Sequence, residues 1–245
     1  MGVFDWFGGD AEAKVLRKHG PRAANKRAYP PDRWESIQAI AALKSEAGVE
    51  ALLKRFEFTS DPSITDQEEK EAAFQGVLEA GPAALAPLRR FLRQTHAVAW
   101  GIKCLDRLLP ETEATRELLD LLASMSTEYE RDPQKKIEVL ASLSERQDAG
   151  IAEAVKRFLE DVNETVRFHA VDVLLSGGRR SELPEPLLTL LLREESVRIR
   201  VRIAEAMQES QWRWAEGTRV TREQLTRSLP PGFSLGKSGR IERGA

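Results

Sequence analysis

The chain of 245 residues is poor in the residues that build cross-links and metal centres, with one cysteine, Cys104, and three histidines. A lone cysteine excludes an internal disulfide and a cysteine cage for a metal. His19, His96 and His169 are far apart, and none sits in a His-Glu-x-x-His or carboxylate-rich cluster, so no metal or other cofactor is expected. Long apolar runs are missing too; none approaches the ~20 residues of a membrane span. The start, "MGVFDWFGGD", lacks the basic region and extended apolar core of a secretory signal, and Trp6 stands where a myristoylation signal has Ser or Thr. The expected compartment is the cytoplasm. A phosphate-binding loop is not expected either: in "GFSLGKSG", from Gly232, three residues separate the glycines, one short of a Walker A loop, and no helix follows.

Charge of one sign is not in large excess, the formal total being -2. Its distribution is uneven: residues 1–33 carry seven Lys/Arg against four Asp/Glu, residues 34–192 nineteen against twenty-eight, and residues 193–245 eleven against seven. Basic ends on an acidic body lower the expectation of non-specific nucleic-acid binding.

What fills the chain is helix after helix. Apolar residues recur at three and four, as in Trp34, Ile37, Ile40, Ala41 and in Val49, Leu52, Leu53, Phe56. Asp132-Pro133, Thr112 and Asp148 read as helix starts, Pro82 and Pro184 as first-turn prolines, and Gly48 and Gly177-Gly178 as breaks. A period runs through these helices. Leu43, Leu78, Leu108, Leu143, Leu174 and Met207, each the last large apolar residue of a first-of-pair helix, follow one another at steps of 30 to 35. Five pairs and half of a sixth fill residues 31–210. Such units cannot bury their apolar stripes alone and must stack.

The copies align best near the end. "TVRFHAVDVLL" over "IRVRIAEAM" sets Val166 on Ile199, Arg167 on Arg200, Ala170 on Ile203 and Leu174 on Met207, while His169 and Asp172 fall on Arg202 and Glu205. Long charged residues at aligned positions mark a solvated face. His169 and Asp172 therefore read as surface variation rather than an acid–base pair, and Arg167 and Arg200 as clamps between neighbouring repeats.

An acid cluster, then Val-Arg, then Ala-x-x-Ala-Leu-like spacing, resembles the HEAT-repeat family, including its bacterial variety related to phycobilisome-lyase repeats. The resemblance covers roughly residues 31–210. It implies an all-α fold, a right-handed α-α superhelix of about five to six helix pairs with second helices on a concave face, and it implies a scaffold or adaptor rather than an enzyme. Residues 1–30 would form an apolar segment and basic cap, and residues 211–245 a C-terminal cap. A short hairpin tail is expected within Leu229 to Arg243, turning at Gly236-Lys237-Ser238-Gly239 and packing Phe233, Leu235 and Ile241.

Candidate functional residues follow from a second repetition. "LKRF", "LRRF" and "VKRF" put a basic pair before a phenylalanine at Phe56, Phe91 and Phe158; the third repeat, with Leu119-Asp120-Leu121, interrupts the row. Lys54, Arg55, Arg89, Arg90, Arg93, Lys156 and Arg157 would form a basic stripe on the concave face, with Arg179 and Arg180 as outer members. The expected partner is another protein, met through an acidic segment; solvated cations with helical i, i+4 partners are the plainer reading. A DNA-binding or alkylpurine-glycosylase-like HEAT protein is an alternative, but Trp100 and Asp106 face different sides of one helix. Cys104 reads as a buried small hydrophobe. At the ends, Phe4, Trp6, Phe7, Trp212 and Trp214 are candidates for capping the array or for docking. With Lys14, Arg17, Lys18, Arg22, Lys26 and Arg27 behind it, "VFDWF" also suits a peripheral membrane contact.

Overall fold

The computed structural model describes residues 5–177, 185–216 and 219–244, and of residues 5–9 the backbone alone. The described chain holds thirteen α-helices and one short hairpin. After α1 (Asp5–Ala23), the helices fall into six pairs. The first helices are α2 (Pro30–Ala41), α4 (Ser63–Glu79), α6 (Ala99–Leu108), α8 (Gln134–Ser144), α10 (Glu164–Gly177) and α12 (Val197–Glu209). The second helices are α3 (Glu46–Leu53), α5 (Leu85–Gln94), α7 (Glu111–Ala123), α9 (Ala149–Val155), α11 (Glu185–Arg193) and α13 (Arg222–Ser228). The "KRF" segments form 3-10 turns that extend two of the second helices, over Lys54–Glu57 and Lys156–Glu160. The sixth pair is complete, because α13 follows a long connection and starts on a capping box in which Thr221 and Gln224 satisfy each other's N–H groups.

The chain divides into two compact units, Met1–Glu117 and Leu118–Ala245. In the first, α1 covers α2 and α3, α2 packs on α4 and α4 on α6, and α3 packs on α5. In the second, α8 packs on α10 and α10 on α12, and α11 packs on α13. Within each unit, first helices thus stack on successive first helices, and one pair of second helices packs together, α3 with α5 and α11 with α13. The core is aliphatic and aromatic. Phe56, Phe91 and Phe158 are all buried, and Phe56 stacks on Trp100 at 5.5 Å between ring centres. Two glycines set how closely helices approach: a Cβ at Gly76 would lie 2.7 Å from that of Ala41, and one at Gly101 would lie 2.7 Å from Leu92 Cδ2.

Three expectations need correction. Gly48 is no break; it is buried inside α3, and its N–H is bonded by the N-cap hydroxyl of Ser45. Trp34 is 43% exposed, because the buried face of α2 is Arg33, Ser36, Ile37 and Ile40. Two polar residues take core positions there, which turns the stripe away from Trp34. Asp172 is not idle surface: it accepts from Arg202 Nε at 2.7 Å, joining α10 to α12. Pro184 and Gly178 lie outside the described residues.

The hairpin is present as expected. β1 (Phe233–Leu235) pairs antiparallel with β2 (Ile241–Arg243), with Leu235 opposite Ile241, which is buried. Gly239 turns the chain at φ +82, a conformation glycine adopts without strain.

Candidate functional site

The predicted stripe separates into a buried and an exposed part. Arg55 belongs to the core, with its side chain fully buried, and it leaves the set of partner-facing residues. Its Nε donates to Glu69 at 2.8 Å, its Nη2 to Asp66 at 2.7 Å, and its Nη1 to the Phe58 carbonyl at 3.0 Å. Arg33 reaches the same Glu69 oxygen at 2.6 Å. Lys70 and the Ser60 N–H complete the shell around Asp66. Burial alone would raise the Asp66 carboxyl, but hydrogen bonds from Lys70, Arg55 and Ser60 outweigh it and hold the group down to about 2. This buried cluster ties α2, the end of α3 and α4 together.

The exposed part is Lys54, Arg89, Arg90, Arg93, Lys156 and Arg157. Arg89 meets Glu117 at 2.6 Å, Arg90 meets Glu50, and Lys156 meets Glu153. Arg157 turns inward: its Nη2 donates to the carbonyls of Leu122 and Met125 at 2.6 and 2.8 Å, which caps the C-terminal end of α7. Arg179 and Arg180 lie outside the described residues, as do Phe4 and the side chains of Trp6 and Phe7. Trp212 and Trp214 are half-buried. Trp214 donates from Nε1 to the Val220 carbonyl at 2.8 Å, so it holds the segment ahead of α13.

A cation near the start of a first helix recurs beyond the two copies that the sequence shows. Arg33, Lys136, Arg167 and Arg200 all sit at the third or fourth helical position. The first three bond carbonyls of the loop just before their helix: Ala28 for Arg33, Ser126 for Lys136 and Asp161 for Arg167. They also reach an acid further along the chain. Arg33 takes Glu69, Lys136 takes Asp161 at 2.8 Å, and Arg167 takes both oxygens of Glu194 at 2.9 Å. Arg200 reaches forward to the carbonyls of Ser228 and Leu229 at the end of α13. Burial would raise Glu194, yet the bond from Arg167 lowers it below the ordinary carboxylate range. Lys136 and Arg33 escaped notice in the sequence because their acids are 25 and 36 residues away and follow no fixed offset.

Other candidate chemistry resolves into packing. Cys104 is buried, and that burial, with Glu71 nearby, pushes its thiol up to about 12. Such a group is not a nucleophile. Trp100 packs against Phe56 and Phe74, and Lys103 Nζ lies over the Trp100 ring, 4.3 Å from its centre. His169 is half-buried, with its ring edge-on to Phe168; burial lowers its pKa and Arg198 adds to this, while Asp172 opposes it. Among the described residues, no three His, Cys, Asp or Glu side chains are grouped to hold a metal ion, and no helix is long and apolar enough to cross a membrane.

A second cationic surface is more open than the stripe. On α1, Lys14, Arg17, Lys18 and Arg22 are all exposed, as are Lys26 and Arg27 in the loop that follows. No acid among the described residues forms an ion pair with any of the six. Comparison with protein families, with curated proteins and with solved structures finds no match to the chain.

Proposed function

We propose that the chain is a HEAT-like array of helix pairs, wound as a right-handed superhelix, that serves as a non-catalytic adaptor for an acidic segment of a partner protein. The repetition supports this reading. Four first helices carry a cation near the start, three of these clamp the preceding loop, and within each unit successive first helices pack on one another. Nearest-neighbour clamping makes a stack of otherwise unstable units stiff. A stiff surface loses little conformational freedom when it binds.

The observation that carries the partner site is the set of exposed cations Lys54, Arg89, Arg90 and Arg93, which flank the buried Phe56 and Phe91. By the HEAT resemblance, second helices line the concave face. The Arg89–Glu117 and Arg90–Glu50 pairs lie at the surface. Such pairs contribute only about 0–1 kcal/mol each. An acidic partner therefore displaces Glu117 and Glu50 readily, and its charge steers the encounter. The test is affinity capture from the native host with the wild type and with Arg89→Glu, Arg90→Glu, Arg93→Glu combined. Loss of captured proteins at an unchanged thermal midpoint is the expected result; an unchanged set of partners contradicts the reading.

A further inference from the structure

We propose that the outer face of α1, with the loop Lys26–Tyr29 and Trp34, is a docking surface for an anionic lipid bilayer. At 100° per residue, Lys14, Arg17, Lys18 and Arg22 share one arc of about 140°. The opposite side of α1 is held to the body of the first unit. His19 is buried, with Nδ1 3.1 Å from Ser36 Oγ, Ala23 is buried, and Glu12 accepts from the Ser45 hydroxyl. The cations are thus presented on a fixed helix. Asp10 is the one acid on their arc, and it pairs with none of them among the described residues.

The loop continues the surface and is also fixed. Arg33 donates to the carbonyls of Ala28 at 2.8 Å and Lys26 at 3.4 Å, and its guanidinium is held from the other side by Glu69. The Arg27 N–H is taken by the Asn25 side chain at 2.9 Å. Lys26 and Arg27 point into solvent from this anchored backbone. Two exposed rings follow in the chain, Tyr29 at the end of the loop with 67% exposure and Trp34 in the first turns of α2 with 43%.

Charge complementarity and shape together select the occupant. A peptide partner seats in a groove, and none of the six cations lines the groove beside α1, about 340 Å³, whose walls are Leu16, Gly20, Pro21 and Ala24 with residues of α3 and Lys54. The cationic arc itself is convex. A bilayer offers a broad sheet of negative charge to such an arc and takes Trp and Tyr rings at headgroup depth. Exposed rings and a basic helix on one unit supply both attractions that hold a protein at such an interface, apolar burial and charge.

Vesicle co-sedimentation of the full chain tests the proposal, with phosphatidylcholine alone and with added phosphatidylserine. Pelleting with the anionic vesicles alone, weakening as salt rises, is expected. Each cation removed weakens binding about fivefold. Lys14→Gln, Arg17→Gln, Lys18→Gln and Arg22→Gln combined should therefore abolish pelleting. Tyr29→Ser with Trp34→Ser should weaken binding and leave its salt slope unchanged, and Arg89→Gln with Arg90→Gln should leave binding intact. Circular dichroism melts identify any variant that fails to fold, and the double variant at Tyr29 and Trp34 keeps the test open if the quadruple one does. Absence of pelleting at low salt overturns the proposal, whether or not the chain retains polyglutamate or duplex DNA. Equal pelleting by the wild type and a folded quadruple variant overturns it as well.

Discussion

Arg33 and Glu69, 36 residues apart, meet at 2.6 Å with both side chains buried, and Arg55 shares the same carboxylate oxygen. Two guanidiniums on one oxygen, with Asp66 and Lys70 alongside, make a buried charge cluster where an aliphatic core would be the simpler solution. Breaking such a pair from one side leaves an uncompensated charge.

Glu69→Leu is therefore expected to destabilise the protein by about 3–5 kcal/mol, because Arg33 and Arg55 stay buried without their shared acceptor. Urea unfolding followed by circular dichroism measures it. A loss below about 1 kcal/mol would show that the cluster contributes nothing net.

Asp66 gives this cluster a pH dependence. Its carboxyl titrates at about 2 in the fold against an ordinary 3.8, so the unfolded chain takes up the proton first. The contribution is complete above the ordinary value and is lost as pH falls from there through about 2. Thermal midpoints recorded across that window should fall with acid, and the fall should be shallower in Asp66→Asn.

Gly76→Ala forces a Cβ to within 2.7 Å of Ala41 and 2.8 Å of Leu52, and overpacking of this kind costs about 1–3 kcal/mol. Chemical denaturation of the variant checks the loss.

Arg167 and Glu194 form the most complete of the clamps, with both carboxylate oxygens engaged at 2.9 Å. A double-mutant cycle with Arg167→Met and Glu194→Gln should return a coupling of about 0.5–3 kcal/mol. Additive effects would mean that the clamp is geometry without energy.

Cys104 should ignore a thiol reagent in the folded protein and react fully in denaturant, since its thiol is buried and held up at about 12. Reaction in the native state at the rate of a free thiol would contradict its placement.

The succession of helices was legible because apolar spacing at three and four is local, and the step of 30 to 35 repeats it. Leu78, Leu108, Leu143, Leu174 and Met207 all fall in first helices, while Leu43 lies just past α2 and Gly48 inside α3, so boundaries were legible less well. The hairpin was legible from its glycines. What stayed hidden is what depends on distant partners. Arg55 and Arg90 look alike in "LKRF" and "LRRF", yet the first is buried against Glu69 and Asp66 and the second meets Glu50 in solvent. Trp34 was misplaced for the same reason, since Arg33 and Ser36 hold core positions that a hydrophobicity pattern assigns to apolar residues. The α1 cations were visible as residues, but only the fold shows which side of α1 faces the body.

Photo-crosslinking in the native host tests the adaptor reading most directly. A photoreactive residue replaces Arg93 in one variant and the exposed Gln75, on a first helix, in another. A discrete protein adduct from position 93 that is missing from position 75 is the predicted result. No adduct from position 93, or the same adducts from both positions, would contradict the account.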